Sequence, residues 1–349
     1  MNNKVKHHFP RLVWLDVNRG LTVFFMLLIN LGGNNNQSFL QLTHTKLGFH
    51  FADWVYPNFI FIMGIALGYN KSNLKLKRII QRGISLFIIG IIIENFPFYF
   101  PLGGLRLMGI LQRIAILYTL GGCLLLLNYR YLIISCLASF ILFILIYSFN
   151  YSTLNQAPFR FQEAIDQLVL RNHIYRGMLY DPQGILSLFG SLINAFIGIL
   201  IGVLLHRFHL TKFPDWTIIF SIVFSSAGFF LSFIFPLSQD LWLPSFSLFT
   251  IGLSLFFGQL IQRITIIHYP ILLFWGQNAL LLYLISEVIR RISFYYFIDN
   301  TPLRYTSIDW LSKHSFLSIH FAALVSSLVL LALTTLVVKV AIRYNVKLR

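Results

Sequence analysis

Acid, cysteine and the short motifs of soluble catalysis are all scarce in this chain. Among 349 residues there are 11 Asp and Glu against 27 Lys and Arg, and charged residues make up 11% of the whole. A soluble globule of this size carries about 25% charged residues, so that class is excluded. Two cysteines, Cys123 and Cys136, both fall in apolar runs, which excludes a disulfide framework. No P-loop, HExxH pair, serine elbow or zinc-spaced cluster occurs, so ATP hydrolysis, zinc catalysis and serine hydrolysis lose support and no metal is indicated. The formal net charge of +16 does not point to nucleic acid, because the Lys and Arg residues sit mostly in short clusters between apolar runs.

What is abundant is hydrocarbon, at 57% of residues. With about 20 apolar residues per crossing, spans are expected near 13–32, 53–70, 83–100, 107–127, 131–149, 185–205, 216–236, 246–262, 267–288 and 316–340. The fold expected is an all-α integral membrane protein, a polytopic bundle of about ten helices in a single domain over 1–349, with both termini cytoplasmic. Basic groups mark that side: Lys4, Lys6 and Arg11 in an N-terminal tail with no cleavage site, Lys71 to Arg82, Arg130, Arg207, Lys212, Arg263, and Lys339 to Arg349. Arg290 and Arg291, after the ninth span, break the pattern.

Polar residues gather in five places. In "LDVNRGLTVFFMLLIN", Asp16 and Arg19 share a helix face and can neutralise each other or face a ligand, while Asn30 at the outer end is either a cap or a catalytic amide. The following loop holds His44, suited to proton transfer though loop histidines are usually just solvated. Asp53 opens the next apolar run, where it can orient such a histidine or cap the helix. "LRLMGILQRIAILY" contributes Arg106, Gln112 and Arg113; a guanidinium inside an apolar helix must face the bundle interior, with Asp16, Glu94 or an anionic ligand as partners. "WGQNALLLYLISE" puts Gln277 and Asn278 in the ninth span, where a bond to a neighbouring helix is the ordinary role. Asp181, Pro182 and Gly184 make a turn, preceded by His173, Tyr175, Arg176 and Tyr180 as an amphipathic lid or a solvated connector.

These stretches, with "LTHTKLGFHFADWVYPNFIFIMG" and "YDPQGILS", occur in an order that resembles the heparan-α-glucosaminide N-acetyltransferase family and its bacterial transmembrane relatives. The resemblance implies transfer of an acetyl group from cytosolic acetyl-CoA, as cosubstrate, to a glucosamine-type amine on the far side of a bacterial inner membrane. It places His44 as general base or acetyl carrier and Asn30 as a catalytic amide, with Asp53 beside the histidine. Arg19, Arg106, Gln112, Arg113 and Asn278 are then candidates for coenzyme A, with Asp16 and Asp181 as support. The partners implied are acetyl-CoA, a sugar acceptor, the bilayer and a second copy of the chain. The step Thr45, Lys46, Leu47, Gly48 departs from the family's usual tryptophan-containing step, which leaves the acceptor open. An O-acyltransferase of an envelope glycan or lipid-linked sugar, and a solute transporter, are the rival readings.

Overall fold

In hydrocarbon every backbone N–H and C=O must be satisfied within its own segment, so each long apolar stretch becomes a helix. A computed structural model describes residues 10–98, 104–150, 160–175, 177–264, 269–298 and 301–345. Lys4, Lys6, Arg176, Lys347 and Arg349 lie outside them. The helices are α1 (Val13–Asn30), α2 (Phe51–Tyr69), α3 (Leu76–Asn95), α4 (Ile110–Leu127), α5 (Tyr129–Asn150), α6 (Arg160–Val169) and α7 (Ile185–Arg207). They continue with α8 (Trp216–Leu231), α9 (Pro244–Ile264), α10 (Pro270–Gln277), α11 (Ala279–Tyr295), α12 (Leu303–His314) and α13 (Ile319–Arg343). A two-stranded antiparallel ladder, Phe297–Ile298 against Thr301–Pro302, sits between α11 and α12.

The protein is an all-α polytopic membrane protein. Seven described helices are long and apolar enough to cross a membrane: α1, α2, α4, α5, α7, α9 and α13. Two of the ten expected spans are weaker crossings. The expected 83–100 span is α3, whose first turns carry Lys77, Arg78 and Arg82, and the expected 216–236 span is the shorter α8. The expected 267–288 span is broken: α10 and α11 meet at an angle of 82°. Asn278 sits at the break, its side-chain N–H donating to the Phe274 carbonyl at 2.8 Å, so it serves its own helix end and not a neighbouring helix.

Alternating passages place Pro10 and Asn345 at one end of the bundle. There the Tyr69 hydroxyl donates to Pro10 O (3.0 Å), Trp14 Nε1 to Thr211 O (2.9 Å), and Lys339 lies 5.8 Å from the Phe274 ring. Arg11, Lys71, Lys75, Arg78, Arg82, Arg130, Arg207 and Arg263 occupy this basic end. Apolar side chains left exposed on α5 and α8, such as Ile134, Leu137, Ile141, Ile222 and Phe230, form the faces that hydrocarbon covers.

The most extensive helix pair is α2 against α7, and small residues explain it. Gly64 and Gly68 on α2 meet Gly198 and Gly202 on α7, each four residues apart. A Cβ at Gly64 would stand 2.3 Å from Ala195 O, and one at Gly198 would stand 2.4 Å from Phe61 O. Backbones this close gain dispersion contacts that bulkier residues forbid, the usual driving force for helix pairing in lipid. Gly20 and Gly276 do the same for α1 and α10, with a Cβ at Gly276 falling 1.9 Å from Asp16 O. Gly68→Val and Gly198→Val are each expected to lose about 1–3 kcal/mol or more of stability by overpacking. Gly104→Ala, whose Cβ meets nothing within 4 Å, should leave thermal unfolding in nanodiscs unchanged.

Candidate active site

At the other end of the bundle the chain leaves α1 after Asn30 and winds back to α2 through residues 31–50. Asn34 Oδ1 accepts the N–H of Asn36 (3.1 Å) and Gln37 (3.0 Å), which closes the first turn. Thr45 Oγ1 donates to Leu47 O at 2.7 Å, and Gly48 adopts φ +100°, a conformation that favours glycine. The Gly48 N–H donates to Leu237 O at 2.8 Å, fastening this loop to the one between α8 and α9.

These turns deliver His44 to Asp53. His44 Nδ1 lies 2.9 Å from Asp53 Oδ1, and Asp53 Oδ2 accepts the His50 backbone N–H at 2.9 Å. Asp53 therefore does both jobs open to it in the sequence: it orients the histidine and caps α2. The carboxylate is fully buried, while the His44 side chain is 51% exposed. A carboxylate partner fixes the proton on Nδ1 and leaves Nε2 as the free acceptor, the arrangement of a positioned general base. His50 braces the loop from behind, its Nδ1 2.9 Å from Thr43 O.

Two further groups close on this dyad. Asp240, between α8 and α9, accepts the Tyr180 hydroxyl on Oδ2 at 2.9 Å, and its charge acts on His44, Asp53 and Arg113. Burial pushes the Asp240 carboxyl up, against the downward pull of the Tyr180 hydrogen bond and of His44. Burial and the adjacent Asp240 likewise push the Tyr180 phenol up. Arg113 is wholly buried, stacks 5.0 Å from the Trp242 ring and donates to Ser187 Oγ (2.5 Å) and Pro182 O (3.3 Å). Its Nε and Nη1, like both amide atoms of neighbouring Gln112, have no hydrogen-bond partner among the described residues.

Arg106 is a structural hinge of this end. It holds Asp181 with both Nε and Nη2 (2.9 and 2.8 Å) and Glu94 with Nη1 (3.1 Å). Burial alone would lower the guanidinium, but Glu94 and Asp181 outweigh it and the net displacement is upward. Arg291 takes Glu94 and Glu287, both at 2.9 Å, and Arg290 pairs with Glu287. The two arginines that broke the charge pattern are thus consumed by buried carboxylates and say nothing about sidedness. Asp166 of α6 receives the backbone N–H of Asp181 (3.0 Å) and Ile185 (2.9 Å), a cap for α7 supplied from another helix; burial pushes its carboxyl up against those two bonds. His173 and Tyr175 close on the same segment, His173 Nδ1 2.7 Å from Leu105 O and Arg106 4.6 Å from the Tyr175 ring.

The sequence candidates therefore divide between the two ends. His44, Asp53, Arg106, Gln112, Arg113 and Asp181 share one end. Asp16 lies at the basic end, held by Arg11 (2.5 Å) and Arg19 (3.1 Å), so it is no partner for Arg113. Arg19 there feels the charge of Arg82, which makes a basic pair at the bundle mouth. Asn30, the last residue of α1, is half-buried, and its amide makes no hydrogen bond to His44 or Asp53. Sequence reading passed over Asp240, Trp242, Ser187 and Asp166. The signal for Asp240 was its rarity: an acid in "SQDLWLP", a short link between two apolar runs. Among the described residues no three His, Cys, Asp or Glu side chains are grouped to hold a metal.

Residues 11–168 match the family described as heparan-alpha-glucosaminide N-acetyltransferase, catalytic. The mouse (Mus musculus) heparan-alpha-glucosaminide N-acetyltransferase is 27% identical over 80% of this chain and 54% of its own length. The human (Homo sapiens) protein of the same name is 36% identical over 31% of this chain and 18% of its own length. The chain thus spans about half the length of the mouse relative.

Arg106→Ala strands Asp181 without its bidentate partner. Breaking a buried pair from one side costs about 3–5 kcal/mol, so a large fall in melting temperature is expected in nanodiscs. Arg106→Lys, which lacks the fork needed to span Asp181 and Glu94, should recover only part of it.

Proposed function

We propose that this chain, whose residues 11–168 match the catalytic model of the heparan-alpha-glucosaminide N-acetyltransferase family, acts as a member of that family and moves an acetyl group from acetyl-CoA on the basic, cytoplasmic side to a glucosamine-type amine on the opposite face of the membrane. The observation that carries this reading is the His44 Nδ1 to Asp53 Oδ1 contact of 2.9 Å, with Nε2 left free on a half-exposed ring. A thioester is already activated, so the protein needs to juxtapose the reactants, take a proton from the nucleophile and stabilise the oxyanion. His44 Nε2 takes that proton as the acceptor attacks the thioester carbonyl carbon; the C–S bond breaks and CoA leaves as thiolate. His44 as a transient acetyl carrier uses the same free nitrogen, and ping-pong kinetics would distinguish it. Asn30, at the end of α1 nearest this loop, is our candidate donor to the carbonyl oxygen, a role typically worth about 2.7–4 kcal/mol.

Coenzyme A carries phosphates, and Arg11, Arg19, Lys71, Lys75, Arg78 and Arg82 supply the positive charge at the basic mouth. From there to Asn30, α1 alone runs 18 residues, about 27 Å at 1.5 Å per residue. The acetyl end of the donor therefore has to reach through most of the bundle. Gln112 and Arg113, with amide and guanidinium groups unpartnered inside it, stand where that path ends. Arg106, committed to Asp181 and Glu94, is a scaffold on this reading and not a ligand for CoA.

One observation favours a transporter instead: the break between α10 and α11, since interrupted helices frequently frame transport sites. Turnover decides. Purified protein in nanodiscs with acetyl-CoA and glucosamine is expected to release CoA only when the acceptor is present. His44→Ala should cut the rate by about 10²–10⁴-fold, the ordinary contribution of a general base, with Asp53→Asn next in severity. Undiminished turnover in His44→Ala, or no CoA release with any amine or hydroxyl acceptor, would overturn the assignment, the second outcome in favour of transport.

A further inference from the structure

Acetylating an amine differs from acetylating a hydroxyl in its proton count. An amino group near neutral pH arrives as an ammonium and must shed one proton to expose its lone pair and a second as the amide forms. A hydroxyl sheds one. His44, with Asp53 committed behind it, accounts for a single proton, because both Asp53 oxygens are used and the carboxylate is fully buried.

Resting on the acetyl-transfer reading, we propose that Asp240 is the second proton acceptor of the site: it binds the acceptor nitrogen as an ammonium, takes its first proton, and so makes an amine the preferred substrate class. Three contacts fix it there. The Gly48 to Leu237 bond of 2.8 Å ties its loop to the His44 loop. Trp242, two residues on, is clamped between the Arg113 guanidinium at 5.0 Å and the Tyr56 ring at 5.5 Å. The Tyr180 hydroxyl holds Oδ2 at 2.9 Å, while Oδ1 has no hydrogen bond among the described residues. The groups facing Asp240 are Tyr180 ahead of α7, His44 on its loop, Asp53 on α2 and Arg113 on α4. Burial and Asp53 make the carboxyl a better proton acceptor than an ordinary surface Asp, which suits it to an ammonium.

The step balances. The ammonium gives one proton to Asp240; the freed lone pair forms the C–N bond to the thioester carbon while the C–S pair departs with CoA. His44 Nε2 takes the second proton from nitrogen. One of the two protons ends on the CoA sulfur and the other returns to water.

The test is kcat/KM against pH for glucosamine with wild type, Asp240→Asn and Asp240→Glu, from below to above the pKa of the acceptor amine. Asp240→Asn is expected to lose about 10²-fold at neutral pH. Its rate should then climb in proportion to the free-amine fraction, converging on wild type once the acceptor is already neutral. Below the Asp240 pKa the two should converge again, because the wild-type carboxyl is then protonated. Asp240→Glu should restore part of the wild-type profile. An Asp240→Asn profile parallel to wild type at every pH, whether equal or uniformly lower, would overturn the proposal, since a merely structural role moves rate without changing shape. A wild type that acetylates hydroxyl acceptors and ignores amines would also overturn it, while leaving acyl transfer and His44 standing. Full turnover in His44→Ala would remove the underlying reading instead.

Discussion

The pair of contacts made by Asp53 is the interaction on which the His44 end of this molecule depends. A carboxylate placed at the mouth of an apolar run is costly unless its lone pairs are occupied, and here both oxygens are: one by His44 Nδ1, the other by the His50 N–H that begins α2. Helix capping and histidine orientation are therefore a single event. Its position is inherited from α2, whose Gly64 and Gly68 lock against α7 closely enough that a Cβ at either would fall within 2.3 Å of a carbonyl oxygen. The same α7 begins at the turn that Asp166 caps and Arg106 anchors through Asp181. Backbone-to-backbone packing in the middle of the bundle thus fixes side-chain chemistry at its rim.

The distribution of acid follows from this. Of the 11 acidic residues, Asp16 and Asp215 lie at the basic end and Asp299 outside the described residues. The other eight, Asp53, Glu94, Glu163, Asp166, Asp181, Asp240, Glu287 and Asp309, lie at the His44 end. Most are neutralised locally: Glu94, Asp181 and Glu287 by arginines, Asp166 by two backbone N–H groups, and Asp309 accepts from Gln37 Nε2 at 2.8 Å. Asp240 has no arginine salt bridge among the described residues and, unlike Asp53, keeps one carboxylate oxygen outside any hydrogen bond there, which is why we place the acceptor nitrogen against it.

Much of this was legible in the chain. Apolar length alone located a helix at each of the ten expected spans, because backbone satisfaction in lipid leaves no other structure, although seven of those helices are long and apolar enough to cross by themselves. The opening of α2 by an acid suggested both orienting and capping, and the fold uses both. The α10–α11 break was hidden because hydropathy does not register a bend: "PILLFWGQNALLLYL" reads as one continuous apolar run. Arg291 misled for a related reason, since its partner Glu94 lies about two hundred residues away and only the bundle brings it near, whereas Arg290 pairs with Glu287 three residues before it. Asp240 escaped because its only local mark is being an acid in a short link; its neighbours Tyr180, His44, Asp53 and Arg113 come from four other segments of the chain.

Arg113 completes the electrostatics. A nearby like charge disfavours ionisation, and Asp53 raises the cost of ionising Asp240. Arg113 and His44 act in the opposite direction. Arg113 commits only Nη2 among its nitrogens, to Ser187 and Pro182, and spends its face on Trp242, so its charge is not quenched by a salt bridge. Held wholly buried, it is screened little by solvent and acts at longer range than a surface arginine. A buried arginine left unpaired looks wasteful as packing. As a fixed positive charge it favours ionisation of Asp240 beside Asp53, which is what the proposed pairing of a proton acceptor with a histidine base requires.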